Sequence, residues 1–78
     1  MALLVRKEPD HNMDRWYSIA VQPTLLDPWA VICAWGSRRT RYRRIRVLPV
    51  ESPEAGKEIA TDIIARKMRR GYSITSHS

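Results

Sequence analysis

Seven consecutive residues, Trp29 to Trp35, are apolar and uncharged, with Pro28 before them and Gly36 after. Their length and the breakers at each end favour a strand in the middle of an antiparallel sheet. A central strand needs a partner on each edge, and the flanking sequence offers two. Upstream, Trp16 to Val21 is rich in β-branched and aromatic side chains, with Tyr17, Ile19 and Val21 on one face at a period of two. A proline-bounded loop, Pro23 to Pro28, joins it to the apolar run. Downstream, from about Arg41 to Leu48, Ile45 and Val47 alternate with Arg44 and Arg46, and Pro49 ends the pairing by removing a backbone donor.

The pattern then changes period. Ser52 can cap a helix, Pro53 suits its first position, and Glu54 favours the positive end of the dipole. Ala55, Ile59, Ala60, Ile63, Ile64 and Met68 recur at helical spacing, and Gly71 supplies a left-handed stop after Arg66, Lys67, Arg69 and Arg70. Ile59, Ile63 and Ile64 are the expected docking residues. Tyr72 to Ser78 is expected to add a brief edge strand. Residues 1–14, which include Pro9, Asp10, His11 and Asn12, show no clear periodicity and read as a flexible leader. The expected architecture is α+β: a small antiparallel sheet of three to four strands with one C-terminal helix on one face. The domain is expected over 15–75, with 76–78 as a tail.

With 78 residues the chain has room for one small core. Cys33 is a lone cysteine, which excludes an internal disulfide, and His11 and His77 at opposite ends make no four-ligand zinc set. No metal and no cofactor are expected. A composition 44% hydrophobic and 28% charged is that of a globular chain held by packing or by association. No apolar run approaches the ~20 residues that span a bilayer, and Met1 to Val5 is too short for the apolar part of a signal peptide. A cytoplasmic location is expected, in keeping with the single thiol.

The charge is local. Fourteen basic residues oppose eight acidic ones, and six of the basic ones are Arg38, Arg39, Arg41, Arg43, Arg44 and Arg46. Setting those six aside leaves eight against eight, a neutral remainder. No acid interrupts the segment, which points to an anionic partner ahead of a merely solvated hairpin. If the helix covers Ala30, Ile32 and Ala34, then Trp29, Val31, Cys33 and Trp35 turn to the open face. Burial of Ile45 and Val47 would send Arg44 and Arg46 to that same face. Guanidinium groups pair with phosphate oxygens and flat rings stack on sugars and bases, so such a surface has the chemistry of nucleic-acid binding. Any one tryptophan is as readily a core residue, and Trp16 and Trp29 are read that way.

At Trp35-Gly36 the stretch from Arg15 to Tyr72 resembles the WGR domain, a small module of poly(ADP-ribose) polymerases and of short bacterial proteins. The matching features are the opening strand with Tyr17, the Trp35-Gly36 pair, and Thr40 after the turn. They continue with the capped helix from Ser52, Ala55 early in it, and the terminal Lys67 with Gly71-Tyr72. The resemblance implies a nucleic-acid-binding module, DNA ahead of RNA, in which Trp35 packs on a nucleotide sugar and basic neighbours take the phosphates. Gly36 would let backbone come close. The chain departs from the pattern at Ser37, where the family carries arginine, and at Arg39, where it carries glycine. Arg38 or Arg39 is then the residue available to supply the missing guanidinium.

Catalysis has little support: Cys33 lies mid-strand without a base motif, and no Gly-rich phosphate loop precedes a helix. No small-molecule substrate and no membrane contact are expected. Lys57, Arg66, Arg69 and Arg70 read as a solvated helix face. The rival reading is a protein-interaction or homodimerisation module using the open sheet face or an exposed strand edge.

Overall fold

The computed structural model describes residues 1–8, 10 and 13–77. In chain order the elements are β1 (Ala2–Glu8), β2 (Met13–Gln22), β3 (Ala30–Ser37), β4 (Arg43–Pro49), α1 (Pro53–Arg69) and β5 (Ser73–His77). The strands form one open antiparallel sheet in the order β4-β3-β2-β1-β5, with α1 packed on one face. The class is the α+β arrangement expected. Five strands form where three to four were expected, because the stretch read as a leader supplies β1. Pro9, His11, Asn12 and Ser78 lie outside the described residues.

β1 sits between β2 and β5, pairing Leu4 with Tyr17 on one side and with Ile74 on the other. Leu4 is fully buried and Ala2 nearly so. Residues paired across an antiparallel ladder share a face, so the registers define rows running across the sheet. On the helix side one row is Leu4, Tyr17, Trp35 and Arg44, and the next is Ala2, Ile19, Cys33 and Arg46. A third consists of Val21, Val31 and Leu48. Burying Leu4, Ile19 and Val31 stabilises the fold by roughly 1.5–3 kcal/mol each, before the entropy of ordering them is counted.

The helix ends are those the sequence specifies. The Ser52 hydroxyl accepts the Ala55 N–H at 3.1 Å, and Pro53 opens the first turn. At the other end Gly71 takes φ 100°, a left-handed value that suits glycine. The Gly71 N–H donates to the Met68 carbonyl and the Tyr72 N–H to the Lys67 carbonyl, both at 3.1 Å, which is the Schellman pattern. Gly56 is the buried residue of α1, and a Cβ there would lie 2.7 Å from Val21 Cγ1 and 3.4 Å from Val50 Cγ2. Ala60, Ile63 and Ile64 continue the docked face, whereas Ile59 is 36% exposed.

The expected facing of the sheet is reversed. Val31, Cys33 and Trp35 lie beneath the helix, and Ala30, Ile32 and Ala34 belong to the other side. Small residues were expected on the sheet to admit the helix, but Gly56 performs that role from the helix, so the sheet can present larger side chains. Ile45 and Val47 are on the uncovered face, 54% and 45% exposed, and Arg44 and Arg46 are on the helix side. Trp16 and Trp29, read as core residues, are half-buried.

Two substitutions test this packing by thermal or urea melting. Leu4→Ala is expected to cost about 2–5 kcal/mol, a large share of a small domain's stability; an unchanged melting temperature would place β1 outside the cooperative fold. Gly56→Ala should destabilise although alanine favours a helix by about 1 kcal/mol, because overlap with the stiff Val21 side chain costs about 1–3 kcal/mol. A higher melting temperature would show that α1 does not approach β2 so closely.

Candidate nucleic-acid interface

β3 and β4 are joined through residues 38–42, and the approach of the two chains is close at Gly36. A Cβ at Gly36 would overlap the Tyr42 carbonyl oxygen and touch the Trp16 indole nitrogen at 3.1 Å. The turn is tied by two hydroxyls: Ser37 accepts the Arg39 N–H at 3.2 Å and Thr40 accepts the Tyr42 N–H at 3.1 Å. Ser37 therefore acts as a turn former at the position where an arginine was expected from the resemblance. The Arg38 N–H donates to the Asp14 carbonyl at 2.8 Å, and its guanidinium Nε lies 3.7 Å from Asp14 Oδ1. Arg38 is thus tethered to β2.

All six hairpin arginines are exposed, and they divide by direction. Arg38, Arg39 and Arg41 belong to the turn. Arg43 pairs with Gly36 and shares the uncovered face, while Arg44 opposite Trp35 and Arg46 opposite Cys33 share the helix side. The expectation that tryptophan and arginine share one surface holds for Trp35 with Arg44 and Arg46. The surface is the helix side of the sheet, not the open one. Arg44 also lies over the Tyr42 ring, 5.8 Å from its centroid.

Between the C-terminal half of α1 and β3–β4 runs a cleft of about 700 Å³. Tyr17, Cys33, Trp35 and Leu48 line its floor, Ile59 and Ile63 one wall, and Arg46, Arg66, Lys67, Arg69 and Arg70 its rim. No acidic residue lines it among the described residues. The rings at its base are ordered: Trp35 stacks on Tyr17 with centroids 5.9 Å apart and planes 14° from parallel, and Tyr72 meets Tyr17 edge-on at 6.4 Å. The Lys67 ammonium lies 4.6 Å from the Tyr17 ring centre and 5.7 Å from that of Tyr72.

Burial, then the like charges of Arg70 and Arg66, push the Lys67 ammonium below the ordinary lysine value. The ring faces act the other way, favouring the charged form. Burial, followed by the Cys33 thiol, pushes the Tyr17 hydroxyl well above the ordinary tyrosine value. Arg66, Arg69 and Arg70, read from sequence as a solvated face, are exposed and also border the cleft, a placement the sequence alone does not give. Only the register brings Arg46 and the end of α1 to opposite sides of one cleft.

The WGR domain family profile matches residues 1–78. The chain belongs to the WGR family. No curated protein and no solved structure matches it. WGR domains are non-catalytic modules that bind nucleic acid, DNA breaks included. In this WGR domain four of the residues that carried the resemblance converge in space: Tyr17, Trp35, Lys67 and Tyr72 form one cluster, and Gly71 closes the helix that brings Lys67 to it. Among the described residues no helix is long and apolar enough to cross a membrane, and no group of three metal-ligating side chains occurs.

The raised Tyr17 pKa has a measurable consequence. Above about pH 10 the unfolded chain ionises this phenol while the folded domain keeps it protonated, so the unfolded state binds fewer protons and stability falls as pH rises. Lys67, displaced downward, acts in the opposite sense between its folded value and the ordinary lysine value. Melting temperatures from pH 9 to 11.5 are expected to fall more steeply for the native sequence than for Tyr17→Phe. Parallel curves would mean that Tyr17 titrates normally in the fold.

Proposed function

We propose that this WGR domain binds DNA, in preference to RNA, through the Arg38–Arg46 hairpin and the adjoining cleft. The observation that carries the reading is the register that sets Arg44 opposite Trp35 and Arg46 opposite Cys33, with Arg66, Lys67, Arg69 and Arg70 across the cleft. Trp35 is half-buried and braced by Tyr17, which suits a ring that packs on a sugar or terminal base without itself reorganising. Gly36 holds the turn close to β3. Arg39, Arg41, Arg44 and Arg46 contact phosphates, Arg43 approaches from the uncovered face, and Arg38 contributes from its tether on Asp14.

A second reading has its own observation. Ile45 and Val47 are half-exposed on the uncovered face, which favours contact with a protein partner or a second copy there. Ile45→Ser with Val47→Ser would abolish that contact and leave DNA binding in place.

The two readings separate on salt and on end structure. If about four phosphates are neutralised, log affinity for duplex DNA falls with log salt at a slope near −3.6, and Arg44→Gln with Arg46→Gln reduces that slope by about 1.8. Trp35→Ala is expected to weaken binding to nicked DNA by about 1–3 kcal/mol and to closed duplex by less, whereas Arg44→Gln weakens both alike. Circular dichroism of each variant separates loss of binding from loss of fold. Affinity indifferent to salt and to the arginines would transfer the function to the protein-contact reading.

A further inference from the structure

The loop between β2 and β3 carries two leucines at its tip, Leu25 and Leu26, whose relative exposures are 104% and 94%. The loop is held in shape: the Thr24 hydroxyl accepts the N–H groups of Leu26 and Asp27 at 3.2 and 2.9 Å and donates to the Asp27 carboxylate at 3.0 Å. Pro23 and Pro28 bound it. The leucines are therefore presented on a constrained turn, so little entropy remains to be lost when they are covered. The Val50 N–H donates to the Trp29 carbonyl, which brings Glu51 and the start of α1 to the same end of the molecule. Asp27 in the loop is acidic, as are Glu51 and Glu54 at this end of the molecule.

The cleft has the complementary character. Its interior is apolar, with Trp35, Leu48 and Ile59, and its rim is cationic, with Arg46, Arg66 and Arg69. Leucines that are fully exposed do not reach the cleft of their own chain. We propose that, when no nucleic acid occupies it, the cleft of one copy seats the Leu25–Leu26 loop of a second, with Asp27 and Glu51 meeting the cationic rim. Such an interface is heterologous: each copy gives a loop and receives one, so association continues head to tail. A membrane surface is the less suited occupant of the leucines, since the acids beside them are repelled by anionic lipid.

Sedimentation velocity on the full chain across a concentration series tests this. The native sequence is expected to form species beyond the monomer, less so as salt rises. Leu25→Ser with Leu26→Ser removes the loop's apolar contact and is expected to weaken association at least about a hundredfold with an unchanged melting temperature. Arg66→Glu with Arg69→Glu damages the cleft and is expected to be monomeric too. The decisive arm mixes the two variants: one retains an intact cleft and the other an intact loop, so together they form a one-to-one dimer and nothing larger. A native chain that stays monomeric at several hundred micromolar overturns the proposal. So does a mixture that stays monomeric, or association that survives the leucine changes but is lost with Ile45→Ser and Val47→Ser. Binding of the native chain, but not the leucine variant, to zwitterionic phosphatidylcholine vesicles without self-association would also overturn it, assigning the leucines to lipid.

Discussion

A single helix is about 10 Å across, and five strands spaced about 4.8 Å apart make a sheet roughly 19 Å wide. The helix therefore cannot cover the sheet, and the rest of the molecule follows from where it lies. α1 settles over β2 and β3, where Gly56 lets it approach Val21, and on β4 Leu48 packs on the core while the arginines stay in solvent. Along a transverse row the side chains accordingly pass from buried to wet: Leu4 and Tyr17 are inside, Trp35 is at the boundary, and Arg44 is in solvent. The cleft is the step between the helix and the uncovered edge of the sheet. Its aromatic base and cationic rim are two parts of the same row.

This geometry explains which features the sequence discloses. Caps and stops are local, so Ser52, Pro53 and Gly71 can be read directly and occur as read. The alternation of Ile45 and Val47 with Arg44 and Arg46 also reveals two faces. It does not reveal which face the helix takes, because an edge strand outside the helix footprint need not put its apolar side inward. β1 escaped for a different reason. Leu3, Leu4 and Val5 are apolar on both faces, so no period of two stands out, and the strand's two partners, β2 and β5, lie on either side of it at very different distances along the chain.

The candidate site was legible in part. Six arginines without an intervening acid are a compositional signal that survives any fold, and Trp35 beside Gly36 marks the family. The contribution of the helix end is hidden because cations in a last turn are expected for dipole reasons alone. Lys67 illustrates the overlap: its carbonyl accepts the capping N–H of Tyr72, and its ammonium reaches the ring of that same residue and of Tyr17. Helix termination and assembly of the aromatic cluster are thus one local event.

An open sheet has two free edges, and both are poor templates for growth. β5 is short, and its pairing with β1 is interrupted by a register shift between Leu3 and Leu4. β4 carries Arg43, Arg44 and Arg46, so an antiparallel copy of itself would bring guanidinium groups together across the new ladder. The arginines that make β4 attractive to polyanions also act as gatekeepers against strand addition. Neutralising them to improve solubility tests or crystallisation would leave an edge whose exposed Ile45 and Val47 lack charged neighbours, and a chain so altered would gain a route to fibrils that the native sequence closes by charge.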